Sequence, residues 1–179
     1  MKRNFILRGF MVVALCLSFS FGTYAQDVFK KGDKVVNLGI GLGTYGGYSG
    51  FSSSFLPISG SFEYGILDNL INGKAGIGVG GYLAYTSWKN KATDWTASDF
   101  IIGARGSFHY QFVDKLDTYV GLMLGYDIYN SSYSGSDGSS SVSFSTFLGA
   151  RYYLTDNIGV FAELGYGVAA LELGVAYKF

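Results

Sequence analysis

The chain has 179 residues, room for one domain but not comfortably for two. Apolar residues make up 49% of it and charged residues only 15%, where soluble domains carry about 25%, and the net charge is zero with no basic run to attract nucleic acid. Aromatics at 18%, beside 27 glycines that follow no three-residue period, exclude both a collagen-like and a disordered chain.

Residues 1–25 read as a secretory signal peptide. Lys2, Arg3 and Arg8 form the basic start, an apolar stretch runs from Phe10 to Phe21, and Thr23-Tyr24-Ala25 offers small residues before a cut ahead of Gln26. That stretch is about a dozen residues, short of the roughly 20 that a spanning helix needs. The only cysteine, Cys16, falls inside the leader, preceded by Leu15 where a lipoprotein signal needs a small residue. The mature domain, 26–179, therefore has neither disulfide nor thiolate chemistry. Cleavage removes three basic residues and no acidic ones, leaving a net charge of −3.

From Gln26 onward the dominant period is two residues, which predicts strands with distinct faces. Eight segments follow: 35–44, 57–66, 74–86, 99–112, 118–129, 141–154, 158–167 and 170–179. One face of each is apolar and free of charge, as in Val36, Leu38, Ile40 and Leu42 of the first or Val120, Leu122, Leu124 and Tyr126 of the fifth. The third has Ala75, Ile77, Val79, Gly81, Leu83 and Tyr85 on that face, and the second includes Ile66. The opposite faces carry Asn37, Glu63, Arg105, His109, Asp127, Arg151, Glu163 and Glu172, spaced mainly by glycine and serine. Too little lysine and too much glycine stand there for a solvated surface. Segments of this length suit tilted membrane strands of about 9–11 residues better than soluble strands of five or six.

Only a closed sheet survives in lipid, because an edge would leave backbone groups unpaired. The expected fold is therefore all-β, an eight-stranded antiparallel up-and-down transmembrane β-barrel whose polar faces look inward and whose charges must pair there. Arg151 with Glu163, flanking the turn at 155–157, and Arg105 with Glu63 are the expected lumen pairs. Substitution of Gly121, on the inner face, by a small polar residue is expected to be tolerated or to perturb lumen packing only, and glycines near Tyr82, Phe147, Tyr153 and Phe161 could leave voids. Asp127 and Glu172 face the outer mouth as weak cation candidates. Connections 67–73, 113–117 and 155–157 are short; 45–56, 87–98 and 130–140 are long, with a brief fourth near 167–169. The short set is expected in the periplasm and the long set outside. Tyr85, Trp88, Phe100, Tyr126, Tyr129 and Tyr166 would form the outer aromatic girdle, and Tyr64, Tyr110, Phe112, Tyr152 and Phe179 the inner one.

The last eight residues resemble the terminal assembly signal of outer-membrane barrels: polar, any, glycine, two of any kind, apolar or aromatic, any, terminal aromatic. Glu172, Gly174, Tyr177 and Phe179 match it. The chain as a whole is similar to the small outer-membrane β-barrel family of the outer-membrane protein A and X type, within the porin-like superfamily. The resemblance implies recognition by the barrel-assembly machinery and residence as a monomer in the cell outer membrane, among lipid and lipopolysaccharide. Nothing follows the last strand, so the peptidoglycan-binding domain of the family's larger members is not expected. Catalytic, metal and cofactor sites are not expected. Ser107 and His109 share an inner face, but no third group to orient the histidine stands out, and one histidine with no mature cysteine offers little for a metal. The expected role is non-enzymatic: a barrel displaying surface loops, structural or adhesive in the envelope. The alternative is a minor porin or channel for small or hydrophobic solutes.

Overall fold

The computed structural model describes residues 29–44, 52–89, 96–132, 139–166 and 169–179. The leader at 1–25 and the tips of the four far connections lie outside the described residues. Eight strands form: β1 (Lys34–Thr44), β2 (Ser52–Asn69), β3 (Ala75–Lys89), β4 (Thr96–Val113), β5 (Leu116–Ser131), β6 (Ser139–Tyr153), β7 (Ile158–Tyr166) and β8 (Ala169–Lys178). Each pairs antiparallel with its sequence neighbours, and β1 closes on β8, so the expected barrel is the observed one. No helix among the described residues is long and apolar enough to cross a membrane.

The strands exceed the predicted segments at the far end, the end opposite Phe29 and Phe179. Ser52 faces Lys89, Lys89 faces Thr96 and Ala97 faces Ser131, so much of what reads as loop is paired strand. Apolar alternation stops before the hydrogen-bonded ladder does, because serine and threonine carry a ladder as well as valine can.

The near-end turns are tight. Between β2 and β3 the chain reverses over Leu70–Gly73, where Asn69, Ile71 and Asn72 all take left-handed backbone angles (φ 56°, 49° and 58°). Lys115, also left-handed (φ 62°), reverses the chain between β4 and β5.

Registered partners lead from Lys34 through Tyr64, Val79, Gly106, Leu122 and Thr146 to Tyr166, which the β7–β8 register sets against Ala169, and back to β1 at Thr44. The circuit ends ten residues from its start. Eight strands with such a stagger tilt by roughly 35–45° and enclose a lumen that side chains can fill.

The outward face is apolar and bare. Leu38, Leu122, Leu124, Phe144, Leu148 and Leu164 are each at least 55% exposed. Monomeric soluble proteins rarely expose apolar patches this continuous. Four expectations for this face change. Trp88 is buried and Tyr129 half-buried, both at lumen-facing positions, so neither joins the girdle. A register shift between Gly65 and Leu67 sets Leu67 against Ile77 on the outer face and leaves Ile66 half-buried. Ala75 is buried where the β2–β3 turn bridges it to Leu70.

Inside, glycines and rings interlock. A Cβ on Gly121 would overlap the Phe147 ring, and one on Gly149 would overlap Tyr119. The glycines are thus slots for aromatic side chains from neighbouring strands rather than voids. At Gly121 the space of the missing side chain is already in use by Phe147 and the Gly106 carbonyl, which favours perturbed lumen packing over simple tolerance. Gly121→Ser is expected to destabilise the barrel by about 1–3 kcal/mol, the usual cost of overpacking. Denaturant midpoints in lipid vesicles would check this, and a wild-type midpoint would contradict it.

Candidate functional site

Strand period and tilt bring charges from β2, β4, β5 and β6 to one level of the near half of the lumen. There Arg151 donates one guanidinium nitrogen to Asp117 at 2.9 Å and the other to Glu63. His109 lies between the same two carboxylates, Nδ1 2.8 Å from Asp117 and Nε2 2.9 Å from Glu63. The four side chains close a ring in which each carboxylate bridges one cation to the other. Ser107 donates its hydroxyl to Glu63, and the Arg151 guanidinium stacks 4.4 Å from the Tyr119 ring centre. Arg151, His109 and Asp117 are at most 2% exposed. Charges taken this far from water are tolerable only when paired this fully.

A second level lies further along. Arg105 donates to Glu163 at 2.7 Å, and the Tyr119 hydroxyl donates to the same carboxylate at 3.2 Å. The guanidinium sits 3.7 Å above the centre of the Phe147 ring, a close cation–π stack. Glu172 faces Glu163 across the β7–β8 pair and accepts from Tyr82 at 3.0 Å and from Ser59. The cavity at this level is about 10 Å³, enough for about one water.

Glu63, Arg105, Arg151 and Glu163 all point into the lumen, but the expected pairs are exchanged. Arg151 bonds Glu63 rather than Glu163, and Arg105 bonds Glu163 rather than Glu63. The register supplies the reason. Arg151 is set against Phe161 on β7 and directly against Asp117 on β5, whereas Glu163 is set against Gly149, one lumen step further from the turn. Arg151 therefore turns toward β5 and reaches across the lumen to β2. Asp117, read from sequence as part of a turn, is the member that was missed; continuing the inner-face parity of β5 two residues back from Tyr119 finds it. Of the two weak cation candidates, Glu172 is buried with both oxygens bonded, and Asp127 accepts from Ser143 at 3.0 Å.

Asp117 also supplies the third group that Ser107 and His109 lacked. Ser107 Oγ is 3.1 Å from His109 Nε2, and Asp117 holds the other nitrogen. Those are the distances of a hydrolytic triad, yet the electrostatics differ. Glu63 faces both the hydroxyl and Nε2, so the imidazole meets a carboxylate oxygen at each nitrogen. An imidazole that must donate on both sides has no lone pair with which to take a proton from serine. The cluster neutralises charge and offers no general base.

No protein family's sequence profile matches the chain, and no curated protein matches it in sequence. Solved structures do match in shape. Ail, the attachment invasion locus protein of Yersinia pestis, solved with the heparin analogue sucrose octasulfate, superposes with a TM-score of 0.55 at 13% identity, over 83% of this chain and 99% of that one. The N-terminal β-barrel domain of Pseudomonas aeruginosa OprF superposes with a TM-score of 0.55 at 16% identity, over 84% of this chain and all of that one. The chain has the fold of the small outer-membrane β-barrels.

In a barrel of this kind the last strand makes the closing seam, and the residues matching the assembly signal sit on it. Glu172 points inward, while Tyr177 and Phe179 stand outward as an edge-on ring pair with centres 4.8 Å apart. Gly174 lies where a Cβ would overlap the Leu38 carbonyl of β1. Phe179 donates its backbone N–H to Lys34 at 2.9 Å, tying the terminal residue to the start of β1.

Proposed function

We propose that the chain is a non-enzymatic, monomeric protein of the bacterial outer membrane, exported by a cleaved leader at 1–25. Its barrel acts as a closed scaffold that displays surface loops for a structural or adhesive role in the envelope. One observation carries this reading: an exterior that is apolar and free of charge between the strand ends surrounds a lumen whose Arg105, His109 and Arg151 are each bonded to carboxylates. The near end, with Phe29 and Phe179, faces the periplasm, and the far hairpins project outward. Lipid and lipopolysaccharide cover the belt, and Glu172, Gly174, Tyr177 and Phe179 present the chain to the barrel-assembly machinery.

A minor pore for small or hydrophobic solutes is the second reading, drawn from the glycine-rich inner faces. The rings seated in those glycine slots favour the closed scaffold. Planar-bilayer recordings with purified, folded protein separate the two. The scaffold predicts no steady single-channel current above the bare bilayer, and reproducible current steps would put the pore in its place.

A further inference from the structure

Phe29 precedes the first strand, yet it is only 8% exposed. Its ring lies flat on the His109 imidazole, with centres 3.8 Å apart and planes 15° from parallel. The segment that delivers it is built to turn back under the barrel. Gly32 takes the left-handed conformation (φ 93°), and Asp33 caps the turn by accepting the Lys30 N–H on its side chain at 3.1 Å. Gly32 donates to the Gly65 carbonyl and Gly65 donates to that of Asp33, both at 2.9 Å. The Lys31 N–H reaches the Asp68 carboxylate at 3.2 Å. A Cβ on Gly65 would overlap the Lys30 carbonyl, so the strap crosses β2 only because that residue is glycine. Gly78 on β3 makes room for the tip of the Phe29 ring in the same way.

We propose that residues 29–33 are a stopper that seals the near mouth of the lumen and keeps water from the His109–Asp117–Glu63–Arg151 ring. Withdrawing it uncovers a blind pocket, not a pore. The chemistry fits the place. A histidine donating to two carboxylates carries positive charge, and an aromatic face is the one apolar surface that attracts a cation while excluding water. Dryness in turn strengthens every ion pair behind it. The cavity beside the ring, lined by Phe29, His109 and Asp117 among others, is about 10 Å³, room for one water at most, so the ring is closely packed at the mouth. Beyond the ring, Arg151 on Tyr119 and Arg105 on Phe147 fill the lumen independently of the stopper. The blind-pocket half of the proposal rests on the closed-scaffold reading above; the stopper itself does not.

His109 is the only histidine in the chain, so one labelled residue reports on the site. Full barrels labelled with ¹⁵N-histidine in lipid nanodiscs give imidazole N–H exchange rates with water by NMR, and a heat-modifiability gel checks that each variant is folded. Wild type and Phe29→Tyr are expected to hold both imidazole protons in slow exchange. Phe29→Ala should speed exchange by roughly tenfold or more. Gly65→Ala should do the same, since it evicts the strap while leaving Phe29 and His109 intact. Fast exchange in the wild type, or wild-type rates in both Phe29→Ala and Gly65→Ala, would overturn the stopper. A bilayer current appearing only in Phe29→Ala would overturn the blind pocket. A current already present in wild type would overturn it too, by striking the closed scaffold, while the exchange rates still decide the stopper.

Discussion

Arg151→Met is expected to lower the stability of the barrel by about 3–5 kcal/mol, the range seen when one partner of a buried ion pair is removed. The substitution preserves most of the volume, so packing alone would cost little. What remains is Asp117 and Glu63, at most 8% exposed and held together with only His109 between them. Two carboxylates sharing one imidazolium cannot both stay charged without water, and the near half of the lumen must loosen or hydrate. Adding Glu63→Gln to the same variant should recover part of the loss, because the surplus negative charge goes with it; the pair is then strongly non-additive. Urea unfolding in lipid vesicles measures both. A loss under about 1 kcal/mol for Arg151→Met would mean the ring is wet and its charges solvated.

Leu122→Arg carries the second large effect, expected at about 2–4 kcal/mol for an arginine near the bilayer midplane. Leu122 is 55% exposed on the outer face of β5, and its registered partners are Gly106 and Thr146. A water-exposed leucine could become arginine at almost no cost, so the size of the effect identifies the solvent. Depth gives the control. Leu154, just beyond β6 at the near rim, is 57% exposed, and Leu154→Arg should cost only about 0–1 kcal/mol. Equal tolerance at both positions would argue that neither touches hydrocarbon.

The strands are legible in the sequence because a barrel wall obeys a local rule. Each residue faces either lipid or lumen, and the choice alternates, so Leu122 and Arg151 declare their sides from period alone. The reading falters where the alternation stops tracking the backbone. Polar stretches such as the serines that open β2 begin as ladder without an apolar face, and the bulge at Gly65/Leu67 shifts Ile66 out of phase. Partners across the lumen were out of reach for a different reason. Which carboxylate meets which guanidinium depends on the ten-residue stagger around the barrel, a closure property that no single hairpin encodes. Arg105 and Glu163 are 58 positions apart, and Arg151 and Glu63 are 88. Phe29 was hidden for a third reason: it precedes the strands, and only its stacking on His109 gives it a place.

The proposed membrane role requires the charge-free wall to meet lipid around a closed sheet. Cell fractionation followed by gel electrophoresis of unboiled and boiled samples tests both halves at once. The chain is expected in the outer-membrane fraction, released only by detergent, with the unboiled band migrating apart from the boiled one. Recovery as a detergent-free monomer in the periplasm, with a single band insensitive to heating, would contradict it.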